Sequence, residues 1–253
     1  MSLELIKKLR LDTGISLKKC QEALAASQND LDKAREFLRK AGEADAAKKS
    51  DRSAQEGRIA LKTKEGKGII VQIFCETDFT ARNAEFLKLT EEIAELAFVE
   101  NNEAQIAKLI QAIIQKNGEN VKLGEIKTLT APQIASYLHS DGKTGVLIAL
   151  SQGSVEVGKK IAMQVAAMNP RYLKPEDVPA AIIAKETEIQ KSLLAKSGKP
   201  EQIWDKILQG KIRKFCNEQS LLQQNFVQDS TKTVAKYLAE NQTVVTDFVR
   251  LKI

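Results

Sequence analysis

Residues 68–83 read GIIVQIFCETDFTARN, and the change from apolar to polar text within this stretch decides the fold. Its apolar half alternates between the two faces of a β-strand. Glu65-Gly66, just before it, is a two-residue turn signal. The sequence therefore predicts a β-hairpin made of residues 58–62 and 68–74, with a polar loop at its end.

An amphipathic helix follows this loop, because Phe86, Leu89, Ile93 and Leu96 recur at helical spacing. The same order of glycine, apolar strand, polar break and amphipathic helix returns at residues 145–168. Two copies of one strand–helix unit predict a duplicated α+β core. Its other predicted elements are a helix and two strands, at residues 106–114, 121–130 and 244–253.

The first forty residues predict three short helices, each with one apolar stripe. Thr13-Gly14 is typical of a helix C-terminus, while Ser16 and Asp30 are placed to cap the second and third helices. Helices this short are marginal alone, so they must pack on one another as a module. The apolar stripe is lost over residues 43–56, which we interpret as a linker with helix-forming alanines.

Beyond residue 174, two helical runs predict a helical hairpin inserted between two pieces of the core. The runs cover residues 178–196 and 201–219. Ser197-Gly198-Lys199-Pro200 separates them, with the glycine ending one helix and the proline starting the next. A short helix at residues 231–240 is predicted before the last strand.

The composition excludes several classes of protein. The 253 residues are 43% hydrophobic and 28% charged, with a formal net charge of +6 from interleaved basic and acidic residues. No apolar run reaches the ~20 residues that span a bilayer, and the charged start is not a signal-peptide core. Three widely spaced cysteines, Cys20, Cys75 and Cys216, favour neither a disulfide framework nor a zinc site, and they indicate a cytoplasmic protein.

The chain carries no nucleotide-binding, nucleophile-elbow or metalloprotease motif, and His139 is its single histidine. We therefore expect no bond-breaking active site, no cofactor and no metal ion. Two alternatives stay open. A thiol enzyme would pair His139 with one of the cysteines. A nucleic-acid-binding module would fit the isoelectric point of about 9.1, but it needs stacking aromatic residues, which make up only 5% of the chain.

The polar loop of residues 75–83 has two interpretations. In the first, Thr77 or Asp78 caps the following helix and Phe79 packs back on it as a hydrophobic staple. In the second, Phe79 is an exposed anchor of the kind that protein interfaces favour. The local pattern alone does not decide between them.

The segment ETDFTARN, residues 76–83, resembles the T-D-F motif of the elongation factor Ts family, T-D-F-V-A-[RK]-N. Thr80 stands where that family commonly has a small apolar residue. The chain is similar to the family at several further places, in the same order, so that the resemblance covers essentially the whole chain. These places are Leu9-Arg10, Thr13-Gly14, Cys20, Ala23-Leu24, residues 30–42, Gly145-Val146-Leu147, residues 161–167 and Lys174-Pro175-Glu176-Asp177-Val178.

The resemblance implies an α+β fold whose partition matches the one predicted from the residues. Its parts are a ubiquitin-associated (UBA)-like three-helix module at residues 1–42, a linker at 43–56, a core N-subdomain at 57–138, a core C-subdomain at 139–178 and 226–253, and an inserted antiparallel helical hairpin at 179–225 that serves dimerisation.

The function implied is guanine-nucleotide exchange on the translational GTPase elongation factor Tu, with no direct nucleic-acid or membrane partner. The T-D-F loop, made of Thr77, Asp78, Phe79 and Thr80, would enter the GDP-bound partner near its Mg²⁺ and promote GDP release. Further partner contacts are implied for seven residues. They are Arg10, Leu17 and Lys18 of the first module, Arg82 and Asn83 beside the loop, and His139 and Gly145 of the second core subdomain.

Overall fold

The computed structural model describes residues 2–49, 51–99, 102–197 and 200–253, and leaves the side chains of residues 43–48 undescribed. The helices are α1 (Leu3–Thr13), α2 (Leu17–Ala26), α3 (Leu31–Lys49), α4 (Asp78–Arg82), α5 (Ala84–Phe98), α6 (Glu103–Asn117), α7 (Val155–Met168), α8 (Ala180–Ala195), α9 (Trp204–Gln219) and α10 (Val234–Glu240). The strands are β1 (Glu56–Lys64), β2 (Lys67–Cys75), β3 (Lys122–Thr130), β4 (Gln133–Leu138), β5 (Thr144–Gln152), β6 (Asn225–Phe226), β7 (Asp229–Thr233) and β8 (Val244–Lys252).

Two antiparallel sheets, with strand orders β1-β2-β3 and β4-β5-β8, form the core. The inner faces of the sheets pack on each other through Ile59, Ile70, Leu147 and Leu251. Helices α5 and α6 cover the outer face of the first sheet, and α7 and α10 cover that of the second. β2 and β5 are both central strands, and each precedes the helix that covers its sheet.

The β1–β2 hairpin turns where Glu65-Gly66 predicts it. Both residues have positive φ, 48° and 77°, as a two-residue turn that matches strand twist requires. Lys64 and Lys67 are the pair that closes the turn. The hairpin register brings the carboxyl end of β2, at Cys75, beside Glu56 at the start of β1. The loop of residues 76–83 therefore leaves the sheet from a fixed point.

Helices α1, α2 and α3 pack around a small apolar cluster that includes Leu9, Cys20 and Leu24. Gly14 ends α1 with a φ of 66°. Asp30 caps α3, since its Oδ1 accepts from the N–H groups of Asp32 and Lys33 at 3.0 Å. Ser16 stands at the start of α2 but makes no cap hydrogen bond.

Helix α3 continues to Lys49, into the predicted linker with its helix-forming alanines. It contacts α6, where Gln115 Nε2 donates to the carbonyl of Leu38 at 3.2 Å. This contact attaches the three-helix module to the helical side of the first sheet.

Two elements differ from the predictions. The edge strand β4 was not predicted, and the predicted helix at residues 231–240 begins only at Val234, because Asp229–Thr233 forms strand β7. Gly198 and Lys199 of the predicted break lie outside the described residues. Nowhere in the described ranges is a helix both long and apolar enough to cross a bilayer.

Helices α8 and α9 lie side by side, with Lys211 Nζ donating to Gln190 Oε1 at 2.7 Å. The chain enters and leaves this pair at one place. There, the N–H of Arg171 donates to the carbonyl of Gln219, and the N–H of Leu221 to that of Tyr172, both at 2.9 Å.

Candidate functional site

Phe79 is the second residue of the short helix α4, and 84% of its surface is exposed. The interpretation of Phe79 as a hydrophobic staple is therefore wrong, since its ring makes no buried contact with the following helix. The two next residues, Thr80 and Ala81, are buried instead. Helix α4 thus turns its backbone inward and projects one aromatic ring outward. We call this projecting turn, residues 77–82, the wedge.

Thr77 caps the wedge, because its Oγ1 accepts from the N–H of Thr80 at 3.3 Å. The same hydroxyl donates to Glu119 Oε1 at 2.6 Å, and the backbone N–H of Thr77 donates to Glu119 Oε2 at 3.1 Å. Both carboxylate oxygens of Glu119 are therefore occupied by one residue. Charge-assisted bonds of this kind are the strong ones, so the start of the wedge is fixed to the α6–β3 connection.

The other end of the wedge is held by Arg58 of β1. Its Nε donates to the carbonyl of Ala81 at 3.0 Å, and its Nη1 donates to the carbonyl of Asp141 at 2.7 Å. Asn83 then caps α5, with Oδ1 accepting from the N–H of Glu85 at 2.8 Å. The backbone on both sides of Phe79 consequently has partners outside the loop.

Charged residues flank Phe79 along the wedge. Asp78 and Arg82 form an ion pair one helical turn apart, at 3.2 Å. Exposed pairs like this contribute little to stability, so either side chain is available to a partner at small cost. An aromatic centre with a polar rim is the usual anatomy of a protein–protein interface.

The predicted contacts of the three-helix module lie on its surface. Arg10, Leu17 and Lys18 are all exposed, Leu17 with 47% of its surface. Leu11 is 86% exposed and adds an apolar side chain beside Arg10 that sequence reasoning did not single out. The module thus offers a mixed apolar and basic surface separate from the wedge.

His139 and Gly145, predicted together as contacts of the second core subdomain, have different surroundings. His139 is exposed in the β4–β5 turn, where its Nδ1 lies 3.0 Å from the hydroxyl of Tyr137. Gly145 is buried between the sheets, and a Cβ there would lie 2.5 Å from Cγ2 of Ile59. Gly145 has no surface to offer a partner, so its expected direct contact does not fit the fold.

The thiol-enzyme alternative lacks a reactive nucleophile. All three cysteines are buried, and His139 is exposed, with Tyr137 as its ring contact. Burial, together with the negative charges of Glu119 and Glu56, raises the pKa of the Cys75 thiol to about 12. Burial also raises the pKa of Cys216. Since the thiolate is the nucleophilic form, the raised pKa values of Cys75 and Cys216 disfavour their reactive form near neutral pH. Among the described residues, no cluster of potential metal ligands gathers either.

Sequence reasoning missed Glu119 and Arg58, the two residues that hold the wedge. They lie 42 and 23 residues along the chain from the groups they bind. No local sequence pattern marks either residue, because each comes near the wedge only when β1 pairs with β2 and α6 packs on the sheet.

An α+β protein with an exposed aromatic wedge, held at both ends, and a second exposed module has the features of a protein that binds other proteins. The family model described as "Elongation factor TS" matches residues 76–253. Proteins named "Elongation factor Ts" from Pasteurella multocida (strain Pm70) and Actinobacillus pleuropneumoniae serotype 5b (strain L20) are each 40% identical over 259 residues, covering 100% of this chain and 92% and 91% of theirs. The same-named protein of Vibrio parahaemolyticus serotype O3:K6 is 38% identical over 98% of this chain and 90% of its own. The chain belongs to the elongation factor Ts family, and its role lies in the elongation phase of translation.

Proposed function

We propose that this protein is the guanine-nucleotide exchange factor of elongation factor Tu. It binds the GDP form of this GTPase in the cytoplasm and promotes GDP release by disturbing the bound Mg²⁺, without breaking a bond. The observation that carries the proposal is the 84% exposure of Phe79 on a turn whose backbone is bonded at both ends. Family membership supports the same conclusion.

In this proposal the four loop residues divide into two roles. Asp78 and Phe79 enter the partner, since they carry the exposed charge and ring. Thr77 and Thr80 stay behind and hold the turn, Thr77 through its cap and Thr80 through burial. Arg82 and Asn83 line the rim, where Arg82 exchanges its pairing with Asp78 for contacts on the partner.

Two other surfaces hold the partner while the wedge acts. Arg10, Leu17 and Lys18 of the three-helix module, which we take to be UBA-like, grip the nucleotide-binding domain. His139 contacts a more distant domain from the β4–β5 turn. Gly145 serves this surface indirectly, since its lack of a side chain lets the sheets close beneath the turn.

The need for several surfaces follows from the energetics. A factor that weakens GDP binding must itself be bound less tightly when GDP is present, by the same equilibrium factor. A thousandfold effect requires ~4 kcal/mol. Burial of one phenylalanine side chain provides roughly 1.5–3 kcal/mol before ordering costs. Phe79 therefore needs the other contacts to drive it into the partner.

We also propose that the protein forms a homodimer through α8 and α9. Ile182, Ile189 and Leu193 recur at seven and four residues along α8, which puts them on one stripe. They are 36%, 46% and 52% exposed. A second copy of this helix pair can cover the stripe, because a two-fold symmetric interface places the same apolar surface of each copy against the other.

Release of a fluorescent GDP from cognate elongation factor Tu tests the proposed exchange activity. The wild-type protein should accelerate release, and both Phe79→Ala and Asp78→Ala should accelerate it less while still binding the nucleotide-free GTPase. Val155→Ala is the matched control, because Val155 is an exposed apolar residue in the first turn of α7. No acceleration by the wild type, or equal rates for all variants, would refute the proposal.

A further inference from the structure

We infer that Glu119 and Arg58 are positioning residues that hold the wedge at its two ends, so that Phe79 leaves the surface in one fixed direction. This inference rests on the proposed exchange function and deepens it. Phe79 itself has almost no contact that would fix its direction, being 84% exposed. Its direction is therefore set by the backbone of residues 77–82 and by the groups that hold this backbone in place.

Glu119 fixes the first residue of the wedge. It accepts both the hydroxyl and the backbone N–H of Thr77, at 2.6 Å and 3.1 Å. The ionised carboxylate makes both bonds charge-assisted, whereas an amide carries no charge, and its nitrogen would have to donate to the Thr77 hydroxyl instead of accepting from it. A glutamine at this position should therefore weaken the attachment of Thr77 while keeping nearly the same size.

The segment that carries Glu119 is itself anchored. The N–H of the next residue, Asn120, donates to Glu76 Oε1 at 2.6 Å, and its Nδ2 donates to the carbonyl of Arg52 at 2.8 Å. Asn120 is 2% exposed. Glu119 thus connects the wedge to a buried point of the core rather than to a second surface loop.

Arg58 fixes the last turn of the wedge and connects it to the His139 turn. Its planar guanidinium donates to Ala81 of the wedge and to Asp141 of the β4–β5 turn. Gly142 makes room for it, because a Cβ at Gly142 would lie 1.7 Å from Nη1 of Arg58. A lysine keeps the charge but cannot donate in two fixed directions. Arg58 therefore fixes the position of the wedge relative to the β4–β5 turn, which carries the second predicted partner surface.

If Phe79 is to disturb the partner's Mg²⁺ site, the wedge that carries it must be held rigidly. If the wedge were free to rotate on its own sheet, insertion of Phe79 would move the wedge rather than the partner's Mg²⁺ site. Loss of Glu119 or Arg58 should then reduce how fast bound GDP leaves, with little change in how tightly the factor binds. This separates a positioning role from a binding role.

The test measures the GDP-release rate against factor concentration for Glu119→Gln and Arg58→Lys. We expect the plateau rate to fall about tenfold, which corresponds to about 1.4 kcal/mol, while the half-saturating concentration changes less than about twofold. Thr77→Val removes the hydroxyl that bonds to Glu119 and caps α4, and should give at least the same loss, whereas Thr77→Ser retains that hydroxyl. Glu125→Gln and Lys62→Met are matched controls on β3 and β1 and should behave as wild type.

A double-mutant cycle with Phe79→Ala distinguishes positioning from general damage. If Glu119 and Arg58 act through Phe79, neither substitution should lower the plateau further once Phe79 is alanine. Equal losses in both backgrounds, or an unchanged plateau with Phe79 present, would overturn the inference. If instead Phe79→Ala alone has no effect on the plateau, the proposed function fails rather than the positioning role.

Discussion

Phe79 and Phe248 both follow a Thr-Asp pair, but only the side chain of Phe79 is largely exposed. Thr246-Asp247-Phe248 lies within β8, where Phe248 packs against the apolar core outside the second sheet. Thr77-Asp78-Phe79 instead opens a helix, since Thr77 is its cap. The same three residue types therefore start a helix at residues 77–79 and lie in an extended strand at residues 246–248, so the motif alone does not determine the exposure of its phenylalanine.

Gly145 provides a prediction at the scale of one residue. In Gly145→Ala the added Cβ would lie 2.5 Å from Ile59 and 3.0 Å from Ile70, both buried. Overpacking of this kind costs typically 1–3 kcal/mol. Urea unfolding should therefore show lower stability, while the folded variant loses at most a small part of its GDP-release activity, because Gly145 makes no direct contact with the partner. Normal stability combined with weakened partner binding would instead support a direct contact.

Sequence motifs found the residues of the wedge itself but not the distant residues that hold it. Thr77, Asp78 and Phe79 are adjacent, so a short motif contains them. Glu119 and Arg58 become neighbours of the wedge only through the β1–β2 register and the packing of α6, which no short motif encodes.

At the scale of elements, patterns with strong periodicity predicted well. Helix α5 and strands β2 and β5 lie where their apolar residues recur at helical or strand spacing. Strand β4 was missed because its six residues, QIASYL, bury only Ile134 and Ala135 and follow a proline. The helix predicted from residue 231 includes the last three residues of strand β7, DSTKT, because this strand is polar and contains no apolar alternation.

The helix pair α8–α9 provides a prediction at this scale. If its exposed stripe joins two copies, light scattering should give twice the chain mass of 28.0 kDa for the wild type. Ile189→Glu should shift the protein to a monomer, because it buries an unpaired charge in the interface. Val227→Glu is the control, since Val227 is 56% exposed outside the helix pair. A strictly monomeric wild type, alone and in complex with the GTPase, would refute the dimer.

At the scale of the whole molecule, the two packed sheets form a frame between the proposed partner surfaces. The wedge extends from the first sheet and the His139 turn from the second, while the three-helix module is attached through α3 and α6. The short hydrogen bonds of Arg58 join the first two surfaces directly. Because the frame is continuous, binding energy gained where the three-helix module and the His139 turn contact the partner can offset the cost of inserting the wedge.

We propose that this frame drives Phe79 against the partner's Mg²⁺ site. The most direct test compares the plateau rates of GDP release for wild type and Phe79→Ala, at millimolar Mg²⁺ and after chelation. With Mg²⁺ present, we expect the wild type to be about ten- to a hundredfold faster, the range that burial of one phenylalanine side chain provides. Without Mg²⁺ the two rates should converge, because the ion that the wedge displaces is already gone. An equally large difference in both conditions would contradict the claim.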